Sequence, residues 1–223
     1  MRPRVKICCI ANEAEASVAI LMGADAIGLV AKMPSGPGPI PDEDIFRIAK
    51  MIPPPVATFL LTCEQTPQGI IEHHLRTRTN TIQIVDELEG GDYDAVRASL
   101  PGVKLVQVVH VTREESVDEA CELALHVDSI LLDSGNPKLA VKELGGTGRR
   151  HDWKLSRKIV ETCGKPVFLA GGLNAENVHE AVESVGPFGV DICSGVRHEG
   201  KLDRRKLEQF MGAIHRSTGA RVE

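Results

Sequence analysis

Eight short apolar runs separated by segments of helical periodicity constrain this chain more than any other feature. They are Val5–Ile10, Ala26–Val30, Val56–Leu61, Thr81–Val85, Lys104–Val109, Ser129–Leu132, Pro166–Ala170 and Gly189–Cys193. Their hydrophobicity is nearly continuous rather than alternating, the pattern of strands buried on both faces. Between them, Ala14, Val18, Leu21 and Met22 follow an i, i+4, i+7, i+8 stripe. Val178, Ala181, Val182 and Val185 follow i, i+3, i+4, i+7, and Leu207, Phe210, Met211 and Ile214 repeat that spacing. Asn12 and Thr112, each three residues ahead of a glutamate (Glu15, Glu115), predict capping boxes. Thr66 before Pro67 and Asp152 before Trp153 predict two further helix starts.

Eight strand–helix units in 223 residues allow about 28 residues per unit. The expectation is a single-domain (β/α)8 TIM barrel spanning 1–223. A doubly wound open sheet is the structural rival, but the short final connections favour closure. In a barrel, chemistry belongs at the C-terminal ends of the strands and in the loops that follow.

Composition narrows the classes of function. With 26 Lys+Arg against 31 Asp+Glu, a net charge of −5 and only 3% aromatic residues, the chain offers neither a basic face nor stacking platforms. Nucleic acid is therefore not an expected partner. No segment approaches the roughly 18 apolar residues of a membrane span, and Met1–Lys6 runs into a strand without a signal-peptide core. A cytoplasmic protein with no membrane partner is expected. The six cysteines contain no CxxC pair, so neither a disulfide framework nor a zinc site is expected. The eight histidines show no metal spacing, and His73–His74, on a predicted helix, are expected to face solvent.

Three glycine clusters fall after late strands: Gly145–Gly148, Gly171–Gly172 and Ser194–Gly195. Glycine lets the backbone approach an anion closely, and the loops after strands seven and eight are the usual phosphate site of the barrel. A small phosphorylated metabolite is the expected ligand. Cys8 ends the first strand and reads either as a buried hydrophobe or as a general base. Asp133 follows the sixth and reads either as a partner for loop amides or Lys138, or as a general acid. Lys6 either lines the mouth or pairs with Asp191. Cys9, next to Cys8, is expected to point to the other side of the strand and pack between barrel and helices.

Taken in order, Val5–Cys8, Leu131–Ser134, Gly145–Gly148 with Asp152–Trp153, Leu169–Leu173 with Asn177–Val178, and Val190–Asp191 with Ser194–Val196, Gly200–Lys201 and Asp203 resemble the phosphoribosylanthranilate isomerase family over essentially the whole chain. The resemblance implies a cofactor-free and metal-free (β/α)8 enzyme of tryptophan biosynthesis. Such an enzyme carries out the Amadori rearrangement of N-(5-phosphoribosyl)anthranilate to 1-(2-carboxyphenylamino)-1-deoxyribulose 5-phosphate. It implies Asp133 as general acid on the furanose oxygen and Cys8 as general base at C2′. Gly146, Gly148, Gly171, Gly172, Ser194 and Gly195 would hold the phosphate, with Lys6 and Gln83 lining the substrate.

The chain departs from the family pattern at four places. Cys9 replaces the glycine of KICG, and Ser35-Gly36-Pro37 replaces Ser-x-Arg. Gln83-Ile-Val-Asp86 replaces Gln-Leu-His-Gly, and Arg197 replaces a glutamate. The anthranilate end is thus altered while the phosphate end is kept. Either the substrate has shifted to another phosphorylated amino sugar, or Lys32 or Arg197 takes over the carboxylate. A catalytically silent phosphometabolite-binding protein is the reading from a different class, and monomer and homodimer both stay open.

Overall fold

The computed structural model describes residues 2–135 and 150–219, with side chains through Arg216. Gly146, Gly148 and Lys138 lie outside the described residues. The strands are β1 (Arg4–Ile7), β2 (Ala26–Val30), β3 (Ala57–Thr62), β4 (Thr81–Ile84), β5 (Lys104–His110), β6 (Ser129–Asp133), β7 (Val167–Leu169) and β8 (Gly189–Ile192). Each is parallel to its neighbours, and β8 returns to pair with β1, which closes the barrel. All eight apolar runs are strands, and the open-sheet rival is excluded.

The helices are α1 (Glu13–Leu21), α2 (Asp42–Met51), α3 (Pro67–Thr77), α4 (Tyr93–Ser99), α5 (Ser116–Ala124), α6 (Trp153–Thr162), α7 (Val178–Val185) and α8 (Arg204–Gly219). A two-stranded hairpin, β9 (Arg197–His198) and β10 (Lys201–Leu202), precedes α8. Among the described residues no helix is long and apolar enough to cross a membrane.

Helix starts follow local chemistry in most cases. Asn12 accepts from the Glu15 N–H at 2.9 Å, Thr66 from Gly69 at 3.1 Å and Asp152 from Lys154 at 2.8 Å. Thr112 does not cap α5: the helix starts at Ser116, whose hydroxyl instead accepts from the Thr112 N–H at 3.3 Å. In α1 the stripe is rotated from its expected position, since Ala16 and Ala19 are buried while Leu21 is 79% exposed.

The chain builds two separate apolar cores. The larger lies between barrel and helices and includes Ile7, Ile27, Leu60, Ile82, Phe210 and Ile214. The smaller fills the barrel itself with Phe59, Leu61, Val106, Leu131 and Phe168. Phe59 and Phe168 meet edge to face there, with ring centroids 6.0 Å apart. A filled lower barrel closes that end of its interior to a ligand.

The His73–His74 expectation fails. Both rings are 6% exposed. His73 bridges Thr62 Oγ1 at 2.8 Å and Asp42 at 3.1 Å, and His74 Nε2 donates to the Thr79 carbonyl at 2.7 Å. Polar partners on β3 and α2 satisfy both nitrogens of His73, and the turn after α3 holds one nitrogen of His74, contacts that helical periodicity by itself could not foresee.

Candidate active site

Strand parity decides which side chains enter the barrel. Lys6 is in register with Asp191, and the two meet inside at 2.9 Å. Continuing the same pairing, the Cys8 N–H donates to the Ile192 carbonyl at 2.8 Å, which sets Cys8 beside Cys193 one layer higher. Gly28 makes this layering possible. A Cβ there would stand 2.7 Å from Cys8 Sγ and 3.1 Å from Lys6 Nζ, so only glycine leaves room for both side chains.

Lys6 is fully buried and is not among the residues that line the mouth cavity; Asp191 is. Its role as a lining residue therefore gives way to the other reading, a buried ion pair. Burial alone would lower its pKa, but the Asp191 carboxylate, helped by the nearby Cys8 thiol, raises it above the ordinary lysine value. The ammonium is charged and stands over the Phe59 ring, with Nζ 5.2 Å from the centroid.

Above this pair, a cavity opens at the strand C-termini. Cys8 and Asp133 both line it, from strands on different sides of the barrel, together with Gln83, Gly171, Gly172 and Ser194. Cys8 is 5% exposed and Asp133 9%. The Ser134 N–H donates to Asp133 Oδ1 at 2.7 Å, which orients the carboxyl. Gln83 is buried, and its Oε1 has no hydrogen-bond partner among the described residues. A buried acceptor left open at a cavity wall is a ready contact for a polar ligand.

The β7 and β8 ends form one rim. Gly171 and Gly172 adopt successive left-handed conformations, φ +84° and +66°, and Ser194 begins a 3-10 turn over Ser194–Val196. Gly195 does not line the cavity. A Cβ on it would lie 2.2 Å from the Leu173 carbonyl, so it seats the β8 turn directly on the β7 loop. Asn177 ties the same loop from below, donating to the Gly172 carbonyl at 2.9 Å and accepting from the Asn174 N–H at 2.9 Å.

The opposite rim is built from side chains: Val30, Met33, Pro37, Leu61 and Val85 give it an apolar wall. Arg197 is not part of the lining. It pairs with Glu15 at 3.0 Å and donates to the carbonyls of Cys9 and Gly200. Lys32 does not line the cavity either. Arg197 is committed to Glu15 and to main-chain carbonyls and is not placed to receive a carboxylate in the cavity, whereas Lys32 is exposed on the loop next to the lining residue Met33.

Cys9 also departs from expectation. β1 ends at Ile7, and Cys9 takes φ +62°, which breaks the alternation and brings its side chain to the cavity beside Cys8 and Cys193. Hydrogen bonding with Cys193, then with Cys8, together with burial, pushes the Cys9 thiol pKa up. The same contact from Cys9, aided by Arg197, lowers that of Cys193. All six cysteines are free thiols. Sequence reasoning missed Cys9, Cys193 and Asp191 as lining residues. The Lys6–Asp191 register was the signal for Cys193, while nothing local announced the left-handed turn at Cys9. Among the described residues no group of three or more His, Cys, Asp or Glu side chains could hold a metal ion.

Comparison with known proteins places this geometry in context. The family described as N-(5'-phosphoribosyl)anthranilate (PRA) isomerase matches residues 68–213. The N-(5'-phosphoribosyl)anthranilate isomerase of Methanosarcina acetivorans is 36% identical over 96% of this chain and 94% of its own length. Among solved structures, phosphoribosyl anthranilate isomerase from Thermococcus kodakaraensis superposes with a TM-score of 0.80 and 30% identity, covering 95% of this chain and 98% of that one. A phosphoribosyl anthranilate isomerase in complex with reduced 1-(o-carboxyphenylamino)-1-deoxyribulose 5-phosphate gives a TM-score of 0.76 at 28% identity, covering 96% and 98%.

Proposed function

From the premise that this chain belongs to the N-(5'-phosphoribosyl)anthranilate isomerase family, we propose that it rearranges N-(5-phosphoribosyl)anthranilate to 1-(2-carboxyphenylamino)-1-deoxyribulose 5-phosphate, an aldose–ketose conversion of the tryptophan pathway. The observation that carries this reading is the meeting of Cys8 and Asp133 on one cavity whose rim is made by the β7 and β8 turns. The substrate phosphate sits at Gly171, Gly172 and Ser194, with Gly195 holding the two turns together.

The chemistry needs only proton transfers. Asp133, as the acid, protonates the furanose ring oxygen; the C1′–O bond breaks and the anilinic nitrogen lone pair forms the iminium. Cys8, as the thiolate, removes the C2′ proton, and its electron pair neutralises the iminium to give an enolamine. Tautomerisation yields the ketone, and exchange with water at the open mouth restores both groups. Gln83, with its unpartnered amide oxygen, accepts from a substrate hydroxyl. The free thiols agree with a reducing, cytoplasmic setting.

Steady-state turnover of N-(5-phosphoribosyl)anthranilate tests the proposal. Cys8→Ser and Asp133→Asn should each lower kcat by about 10²–10⁴-fold, while the reduced product analogue binds within a few-fold of wild type. A folded wild-type protein that binds the analogue but does not turn over the substrate overturns it.

A further inference from the structure

The loop from β2 to α2 supplies Met33, Ser35, Gly36 and Pro37 to the cavity wall. Its far end is tied to the barrel: Pro39 bridges to Val30, and the Ile40 N–H donates to the Val30 carbonyl at 2.9 Å. Its middle is held by Cys9. The Cys9 Sγ lies 3.6 Å from the Pro37 carbonyl oxygen, which shares the single thiol proton with the Cys193 sulfur. Gly38, at φ +81°, lies so close that a Cβ on it would be 2.6 Å from Cys9 Cβ and 3.2 Å from both Cys9 Cα and Sγ.

Cys9 is itself braced from behind. Arg197 donates to its carbonyl and is fixed by Glu15, whose carboxylate also accepts from the Ala11 N–H at 3.0 Å and the Leu202 N–H at 2.9 Å. This brace holds a non-glycine residue in a left-handed conformation that disfavours it. Strain retained at a cavity wall, with a glycine fitted against it on the facing loop, marks a pair of positions that must match.

We infer that Cys9 is a positioning residue: packed against Gly38 and bonded to Pro37, it latches the β2–α2 loop over the cavity and so sets the affinity for the aglycone half of the substrate. This rests on the isomerase reading for the identity of the aglycone, but not for the latch. Cys9→Gly removes thiol and Cβ together and frees the loop. KM for N-(5-phosphoribosyl)anthranilate should rise about 3- to 10-fold, a larger change than that in kcat, because freeing the loop acts on binding while Cys8 and Asp133 keep their side chains. Gly38→Ala drives a methyl group into Cys9 and should raise KM more than about tenfold. In the Cys9→Gly background the same substitution meets no side chain, and its effect should shrink to a few-fold.

Steady-state kinetics on the four proteins, together with amide exchange at Ile40, forms the test. An unchanged KM in Cys9→Gly, or a Gly38→Ala penalty equal in both backgrounds, overturns the latch. If wild type turns out not to act on this substrate, the isomerase reading falls and exchange alone decides. Faster exchange at Ile40 in Cys9→Gly than in wild type supports the latch, and equal rates overturn it. The same exchange comparison decides if Gly38→Ala does not fold.

Discussion

The two rims of the cavity are made of different materials. At the β7 and β8 ends the wall is backbone: Gly171 and Gly172 in left-handed turns and Ser194 opening a 3-10 turn, with Gly195 behind them packed on the Leu173 carbonyl. At the β2 and β4 ends it is side chain: Val30, Met33, Pro37, Leu61 and Val85. Backbone N–H groups recognise a phosphate whatever the neighbouring side chains are, provided glycine keeps the path clear. A wall of side chains changes with each substitution. Three of the four departures from the family pattern, at Cys9, Pro37 and Val85–Asp86, fall on or beside the second rim; the fourth, Arg197, follows the β8 turn, whose glycine is kept.

Three experiments separate the rims from the floor they share. The largest effect belongs to the floor. Lys6→Met leaves Asp191 buried without its cation and should cost about 3–5 kcal/mol of stability by denaturant unfolding. Adding Asp191→Leu should recover much of that loss. If Lys6→Met alone is as stable as wild type, the pair is not the common support of the two rims.

Next comes the backbone rim. Gly195→Ala forces a methyl group onto the Leu173 carbonyl and should cost about 1–3 kcal/mol. It should also weaken inorganic phosphate binding, read by competitive inhibition, and leave amide exchange at Ile40 on the other rim unchanged. A variant with normal phosphate affinity would break the contrast.

The smallest effect is acid sensitivity confined to the side-chain rim. Burial alone would raise the Glu15 carboxyl pKa, but the N–H groups of Leu202 and Ala11 and the Arg197 guanidinium hold it below the ordinary glutamate value. A carboxyl depressed in the folded state adds stability that is complete above its unfolded pKa and is lost as pH falls through its folded one. Glu15→Gln should therefore be less stable than wild type by about 1 kcal/mol at neutral pH. Thermal unfolding from pH 7 downward should show that gap closing below the usual carboxylate range. A gap that stays constant with pH would mean that the Glu15 charge does not brace this rim.

Much of this was legible in the chain. The eight apolar runs became eight strands because a parallel barrel buries both faces of each strand, and near-continuous hydrophobicity has few other causes. Cys8, Asp133 and Gln83 reached the mouth because a strand's C-terminal end and its parity are local properties. Contacts between distant segments were hidden. Glu15 looked like a capping-box partner to Asn12, yet its carboxylate serves Ala11, Leu202 and Arg197. His73 and His74 looked solvent-facing until Asp42, Thr62 and Thr79 came to meet them.

The sequence by itself determined the barrel, the end at which it opens, and two chemical groups on its mouth, since periodicity, strand ends and glycine placement act over a few residues. Only the tertiary structure decided that Lys6 lies under the cavity rather than in its wall, that Arg197 is spent on Glu15 and Cys9, and that Cys9 turns inward against Gly38. Each of those outcomes depends on which of several possible partners is brought adjacent in space, and that is set by closing the sheet and not by the order of residues along it.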